Sequence, residues 1–187
     1  MSGAPSGPAD YARACVECFV LGRPLPLPAG HTFFTRRAAC FVSLKKRGVL
    51  RGCIGTLEPA EPHLGAEIAR NARSAAFHDP RFHRVRADEL AALTVSVDVL
   101  SSSEPCARAD LDPAVYGVIV LAGSRRGVLL PDLEGVVTVD QQVDIALQKA
   151  SIGRGEAFTV ERFTVTRYRE GEPPRDDEVD KPPAQSS

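Results

Sequence analysis

Leu50-Arg51-Gly52-Cys53-Ile54-Gly55-Thr56 puts a thiol, a guanidinium and two glycines into a stretch that otherwise reads as a β-strand. The thiolate is the reactive form of cysteine, and a neighbouring cation favours it, so Cys53 is a candidate nucleophile or redox centre with Arg51 as its activator. Glycine weakens a strand interior and marks places where a ligand or another backbone comes close, which makes Gly52 and Gly55 candidates for a binding floor. One other stretch is comparably rich in polar chemistry, Asp79-Pro80-Arg81-Phe82-His83-Arg84. There His83, with His78 beside the loop, is a candidate general base, and Asp79, Arg81 and Phe82 are candidate substrate contacts. The competing explanation is a small buried cysteine that fills space, with glycines that let another chain segment pack against the strand.

Arg51, Arg70, Arg73 and Arg81 could together hold a phosphate or carboxylate, since guanidinium offers a rigid fork of donors. Equally, they could form structural pairs with Asp79, Glu58 or Glu67. Residues 36–86 carry eleven Lys or Arg against four acids, a balance of +7, whereas residues from 87 onward carry ten against eighteen, −8. An asymmetry of this kind steers an anionic ligand toward one region or lets two regions neutralise each other. Nucleic acid fits less well, because the isoelectric point is about 6.4 and no aromatic cluster accompanies the basic stretch.

The elements that must position these residues follow from periodicity. A helix begins near Pro8–Asp10 with Tyr11, Cys15, Cys18 and Phe19 on its apolar face, and ends before Pro24-Leu25-Pro26-Leu27-Pro28. A hairpin follows, with strands over 38–44 and 49–57 and a basic turn at 45–48. Strand alternation places Arg51, Cys53 and Gly55 on one face and Gly52 and Ile54 on the other. An amphipathic helix runs from Pro62 to about His78, a helical turn occupies 88–91 and a strand 93–100. Val115–Leu121 reads as an interior strand, turning at 123–127 into 128–130. Thr138 and Gln141 form a capping box for a helix with Val139, Val143, Ala146, Leu147 and Ala150 on one face, and a last strand spans 157–168. Residues 1–8 and 171–187, rich in Pro and polar residues, are expected to be disordered. The order predicts an α+β fold, a mostly antiparallel sheet flanked by helices.

Leu50–Thr56 resembles the signature of the AMMECR-type domain, also described as protein A of the AmmeMemoRadiSam system. Asp79-Pro80-Arg81-Phe82 with Glu89-Leu90 is similar to that family's second motif, and Gly127-Val128-Leu129-Leu130-Pro131 to its third. The stretch from Glu134 through Gln141-Gln142-Val143-Asp144-Ile145-Ala146 to Phe163-Thr164-Val165 resembles the bacterial branch. His83-Arg84 depart from the pattern, since prolines are common there. The resemblance implies a domain over about 9–170 with a larger and a smaller lobe. It implies partnership with a Memo-like protein and a radical SAM protein, in a pathway that modifies a macromolecule or metabolite.

Several classes are excluded. Cys15-Val16-Glu17-Cys18 is a lone C-x-x-C on an apolar helix face, and His31 and His63 have no evident partner, so no metal is expected. The chain lacks a phosphate loop, a dinucleotide fingerprint, a nucleophile-elbow serine and a three-cysteine radical SAM cluster, so no cofactor is expected either. Five unevenly spaced cysteines and the absence of a long apolar run point to a cytoplasmic protein with no membrane contact. The expectation is an anion-binding component at Arg51 and Cys53, its ligand a small molecule or RNA. The alternatives are a non-catalytic nucleic-acid-binding module and a protein adaptor.

Overall fold

Two residues, Arg47 and Gly48, make the turn of the first hairpin, with φ of 51° and 83°. Positive φ at both turn positions matches the twist of the flanking strands, so a basic four-residue tip is unnecessary and the strands run on through both lysines. In the computed structural model, which describes residues 5, 7–28, 32–153 and 155–175, β1 spans Cys40–Lys46 and β2 spans Val49–Gly55. His31 and residues 1–4, 6 and 176–187, which include most of the two segments expected to be disordered, lie outside the described residues. Pro8 already belongs to a helix, and Gly171 N–H donates to Asp10 Oδ1 at 2.9 Å.

Among the described residues the chain forms two compact units, one comprising residues up to Val99 and from Thr166 onward, the other Leu100–Val165. In the first, β3 (Leu93–Leu100) pairs antiparallel with β1, and the sheet order is β2-β1-β3-β8, with β8 at Val165–Arg169. α1 (Pro8–Leu21) and α2 (Leu64–Phe77) pack together over one face of this sheet. The apolar positions that alternate along β1 and β3 (Val42, Leu44, Val95, Val97) and those spaced along α2 (Leu64, Ile68, Ala72, Ala75) meet there, all nearly or fully buried. Phe33 and Tyr168 close the core edge to face, with ring centroids 5.4 Å apart.

The second unit has the sheet order β4-β7-β5-β6, comprising Glu104–Pro105, Thr159–Phe163, Gly117–Ala122 and Arg125–Leu129, antiparallel throughout its described pairings. α3 (Val139–Lys149) covers it and opens on the capping box read from Thr138 and Gln141. The α+β class holds, with two antiparallel four-stranded sheets where one was expected. The single last strand expected over 157–168 divides at Thr164, and its halves enter different sheets. Apolar periodicity alone reads straight through such a switch, because both halves are strand.

Two glycines solve the same packing problem in the two units. A Cβ on Gly52 would lie 2.3 Å from the Ala75 carbonyl oxygen of α2, and one on Gly127 would lie 1.9 Å from the Ala146 carbonyl oxygen of α3. The helix backbone rests on the strand where a side chain is missing. Gly52→Ala should therefore destabilise the first unit by about 1–3 kcal/mol through forced displacement of α2, and chemical denaturation of the variant against the parent checks it.

Candidate functional site

β2 is the edge strand of the first sheet, so alternate N–H and C=O groups point away from β1 with no strand to receive them. At Cys53 they are received by side chains. Cys53 N–H donates to Asp79 Oδ2 at 2.8 Å, and the Arg81 guanidinium donates to the Cys53 carbonyl at 3.2 Å. Asp79 and Arg81 are bound to each other by two contacts, Nε to Oδ1 at 2.9 Å and Nη2 to Oδ2 at 2.7 Å, and the Arg81 backbone N–H adds a third. Asp79 is buried, and the Arg81 guanidinium together with these backbone donors holds its carboxyl well below the usual carboxylate range.

A second carboxylate works at the other end of the strand. The cross-strand register jumps from Leu44 opposite Gly52 to Lys45 opposite Leu50, which leaves Arg51 as an extra residue with no partner on β1. The alternation that was expected to place Arg51 on the Cys53 face is interrupted at this bulge. Arg51 instead donates to both oxygens of Glu89, Nε at 3.0 Å and Nη2 at 2.9 Å, and to the Arg84 carbonyl at 3.2 Å. Glu89 also accepts from Lys46 Nζ at 2.9 Å and Arg86 N–H at 3.1 Å. These donors, Arg51 first, bring its pKa down to about 2.

The third carboxylate, Glu67, is fully buried on α2 and accepts from Thr56 Oγ1 at 2.5 Å and from the N–H groups of Ala60 and Glu61, both at 2.8 Å. Asn71 Nδ2 ties the same corner to the Cys40 carbonyl at 2.9 Å. The stretch from Arg51 to Thr56 is thus pinned at three points, by Glu89, Asp79 and Glu67.

Cys53 itself is half-buried, and its Sγ accepts from Ser43 Oγ at 3.1 Å, the residue opposite it on β1. Gly52 faces the α2 backbone, and Gly55 faces the Phe41 ring, whose nearest atom would lie 2.3 Å from an added Cβ. Both glycines make room for protein. Burial pushes the Cys15 and Cys40 thiols up to about 12, which agrees with the reading of Cys15 as a core residue.

Of the four arginines read as one anion site, Arg51 and Arg81 are taken up by Glu89 and Asp79. Arg70 sits 3.6 Å from Glu61 and 3.9 Å from Glu67, and Arg73 lies 5.8 Å over the Phe19 ring. His63 does have a partner, since its Nδ1 caps α2 by accepting Ala66 N–H at 3.1 Å, and His78 closes the same helix at its C-terminal end. What the structure brings together is a cleft of about 450 Å³ beside β2, lined by Arg51, Arg81, Phe82 and His83 with Lys46, Arg84, Arg86, Asp88 and Glu89. Cys53 is not among its lining residues. Lys46, Arg84 and Arg86 were not singled out from the sequence as site residues, because nothing in their spacing shows that a hairpin end and a loop meet.

A model of the AMMECR1 family matches residues 9–171. The chain belongs to this family. Its AMMECR1 relatives include a Thermotoga maritima protein, 52% identical over 139 residues that cover 73% of this chain and 80% of that one. A Clostridium acetobutylicum protein is 54% identical over 130 residues, 70% of this chain, although the match spans only 28% of that longer protein. The crystal structure of the uncharacterized protein PH0010 from Pyrococcus horikoshii shares the fold, with a TM-score of 0.77, 26% identity, and coverage of 89% of this chain and 91% of that one. No helix among the described residues is long and apolar enough to cross a membrane.

Asp79 and Glu89 both have folded pKa values below their unfolded ones. The stability they contribute is present above the unfolded carboxylate range, near 4.5 for Glu89, and is lost as the pH falls through about 2. Glu89→Gln should flatten the stability profile between those limits and cost about 2 kcal/mol at neutral pH by breaking charged hydrogen bonds, as read by denaturant midpoints across a pH series. In native alkylation followed by peptide mapping, Cys53 should react well before Cys15 and Cys40, whose burial suppresses the thiolate.

Proposed function

We propose that this AMMECR1-family chain is an anion-binding component of a pathway that modifies a macromolecule or metabolite, acting with a Memo-like protein and a radical SAM protein. The observation that carries the reading is the charge of the cleft beside β2. Lys46, Arg51, Arg81, Arg84 and Arg86 line it against Asp88 and Glu89, and a net charge of about +2 remains even when Asp79 is added. Three guanidinium forks are occupied, by Glu89, Asp79 and Asp88, so they hold the walls, and the net positive charge falls to Lys46 and Arg84. Contact with a ligand falls to the exposed Arg84 and His83 and to Lys46, which shares Glu89 with Arg51. Phe82 packs beneath the Arg81 guanidinium, 5.4 Å from its centre, and gives the cleft one apolar wall.

Binding is the activity this geometry supports. His83 stands exposed in the cleft, whereas a nucleophilic role for Cys53 requires a substrate that reaches past Arg51 to the next residues of β2. A single phenylalanine makes no stacking platform, which sets nucleic acid behind a small anion or an anionic group on a protein.

Titration of the full chain with inorganic phosphate by calorimetry should show binding that weakens with salt. Arg84→Glu should reduce the affinity by roughly fivefold or more, since it reverses an exposed charge at the ligand. Unchanged binding in Arg84→Glu removes the cleft as the site. Co-purification after nuclease treatment should retain the Memo-like and radical SAM proteins, and their absence from the eluate removes the pathway assignment.

A further inference from the structure

The face of the first sheet opposite α1 and α2 carries a second concavity. It is a groove of about 460 Å³ on β1, β3 and β8, whose floor is Ser43, Lys45, Thr94, Ser96, Arg167 and Arg169. The residues come in cross-strand rows. Ser43 stands opposite Ser96 on one side and Cys53 on the other, and Lys45 stands opposite Thr94. Thiol, hydroxyl and hydroxyl therefore lie in one line across β2, β1 and β3, with the Ser43 hydroxyl bonded to Cys53 Sγ.

Of the groove's cations, Arg167 is held by Asp98 at 2.7 Å. Elsewhere in the unit Arg13, Arg51, Arg81 and Arg86 likewise meet carboxylates at 2.6–2.9 Å. Lys45 has no carboxylate partner among the described residues, and Arg169 has only Glu172 at 3.9 Å. Glu170, at the groove's end, is turned to Arg13 at 3.4 Å and to Val95 N–H at 3.3 Å. The Thr94 and Ser96 hydroxyls make no hydrogen bond to described residues. Two cations with little or no pairing, with free hydroxyls between them on a rigid sheet, match a ligand with an oxyanion at one end and polar hydroxyl groups along its body. The β-bulge that ejects Arg51 lies opposite Lys45, where such irregularities re-aim side chains next to sites.

We propose that this groove binds a hydroxyl-bearing organic anion, a phosphate ester or a carboxylate, with its charge between Lys45 and Arg169 and its body along Thr94, Ser96 and Ser43 toward Cys53. The site is separate from the basic cleft of the proposed function, and its residues do not overlap with the cleft's.

Amide shifts in two-dimensional NMR of the full chain test it, with inorganic phosphate, acetate and glycerol 3-phosphate as probes. Glycerol 3-phosphate should shift Lys45, Thr94, Ser96 and Ser43 and reach Cys53, with a dissociation constant on the order of 1 mM. Comparison of phosphate with acetate distinguishes the two anion types. Lys45→Glu/Arg169→Glu should abolish these shifts, and Arg84→Glu should leave them intact while removing those at the cleft. The proposal is overturned if the shifts are confined to residues 83–86, or if they survive in Lys45→Glu/Arg169→Glu. Should that double variant lose its dispersed spectrum, Thr94→Val/Ser96→Val serves in its place. It is expected to weaken glycerol 3-phosphate at least threefold and inorganic phosphate less, and equal weakening of both overturns the assignment of the ligand's body.

Discussion

A carboxylate and a guanidinium stand in for a missing strand at Cys53. The N–H and C=O of an edge residue must find partners, and here Asp79 accepts the one while Arg81 donates to the other, with the two side chains locked together. The rest of the first unit depends on this arrangement. At Cys53 the edge has no free N–H or C=O for another chain, and the loop after α2 is fastened to the strand on which α2 rests at Gly52. Glu89 and Glu67 extend the same principle to Arg51 and Thr56, so buried or nearly buried acids, rather than apolar contacts, fix the strand's free side. The first two of the stretches that resemble family motifs, Leu50–Thr56 and Asp79–Phe82 with Glu89, are two halves of one hydrogen-bonded assembly.

The helices and most strands were legible because periodicity is a local property. The capping box at Thr138 and Gln141, the apolar face of α2 and the half-buried β3 needed nothing beyond the order of residue types. Legibility ended where a non-local contact decided. The bulge at Arg51 arises because Lys45 pairs with Leu50, and no rule of alternation contains it. The split at Thr164 depends on two sheets competing for one extended segment. Gly52 was recognised as a place of close approach, but whether the approaching group would be ligand or helix was decided by Ala75, more than twenty residues away.

The +7 count of residues 36–86 also changes meaning once folded. That count already includes Asp79 and Glu67, while Glu89 and Asp88, just outside it, pair with Lys46, Arg51 and Arg86 at 2.6–2.9 Å. Five of the eleven cations line the cleft, and Lys45 lies in the groove on the open face of the sheet. A sum over the sequence therefore overstates the strength of the field and says nothing of its location, since a bidentate pair cancels most of the potential beyond its own length.

The extra residue in β2 bears on how relatives should be aligned. Every cross-strand partner of β1, from Gly55 opposite Phe41 to Val49 opposite Lys46, would remain in place if Arg51 were deleted, because that residue pairs with nothing. Chain length at this point is thus decoupled from the integrity of the sheet. A homologue one residue shorter here would keep the hairpin, the glycine joint and the thiol while losing the guanidinium that grips Glu89. Insertions and deletions at this position carry chemical information that a comparison of residue identities alone would discard.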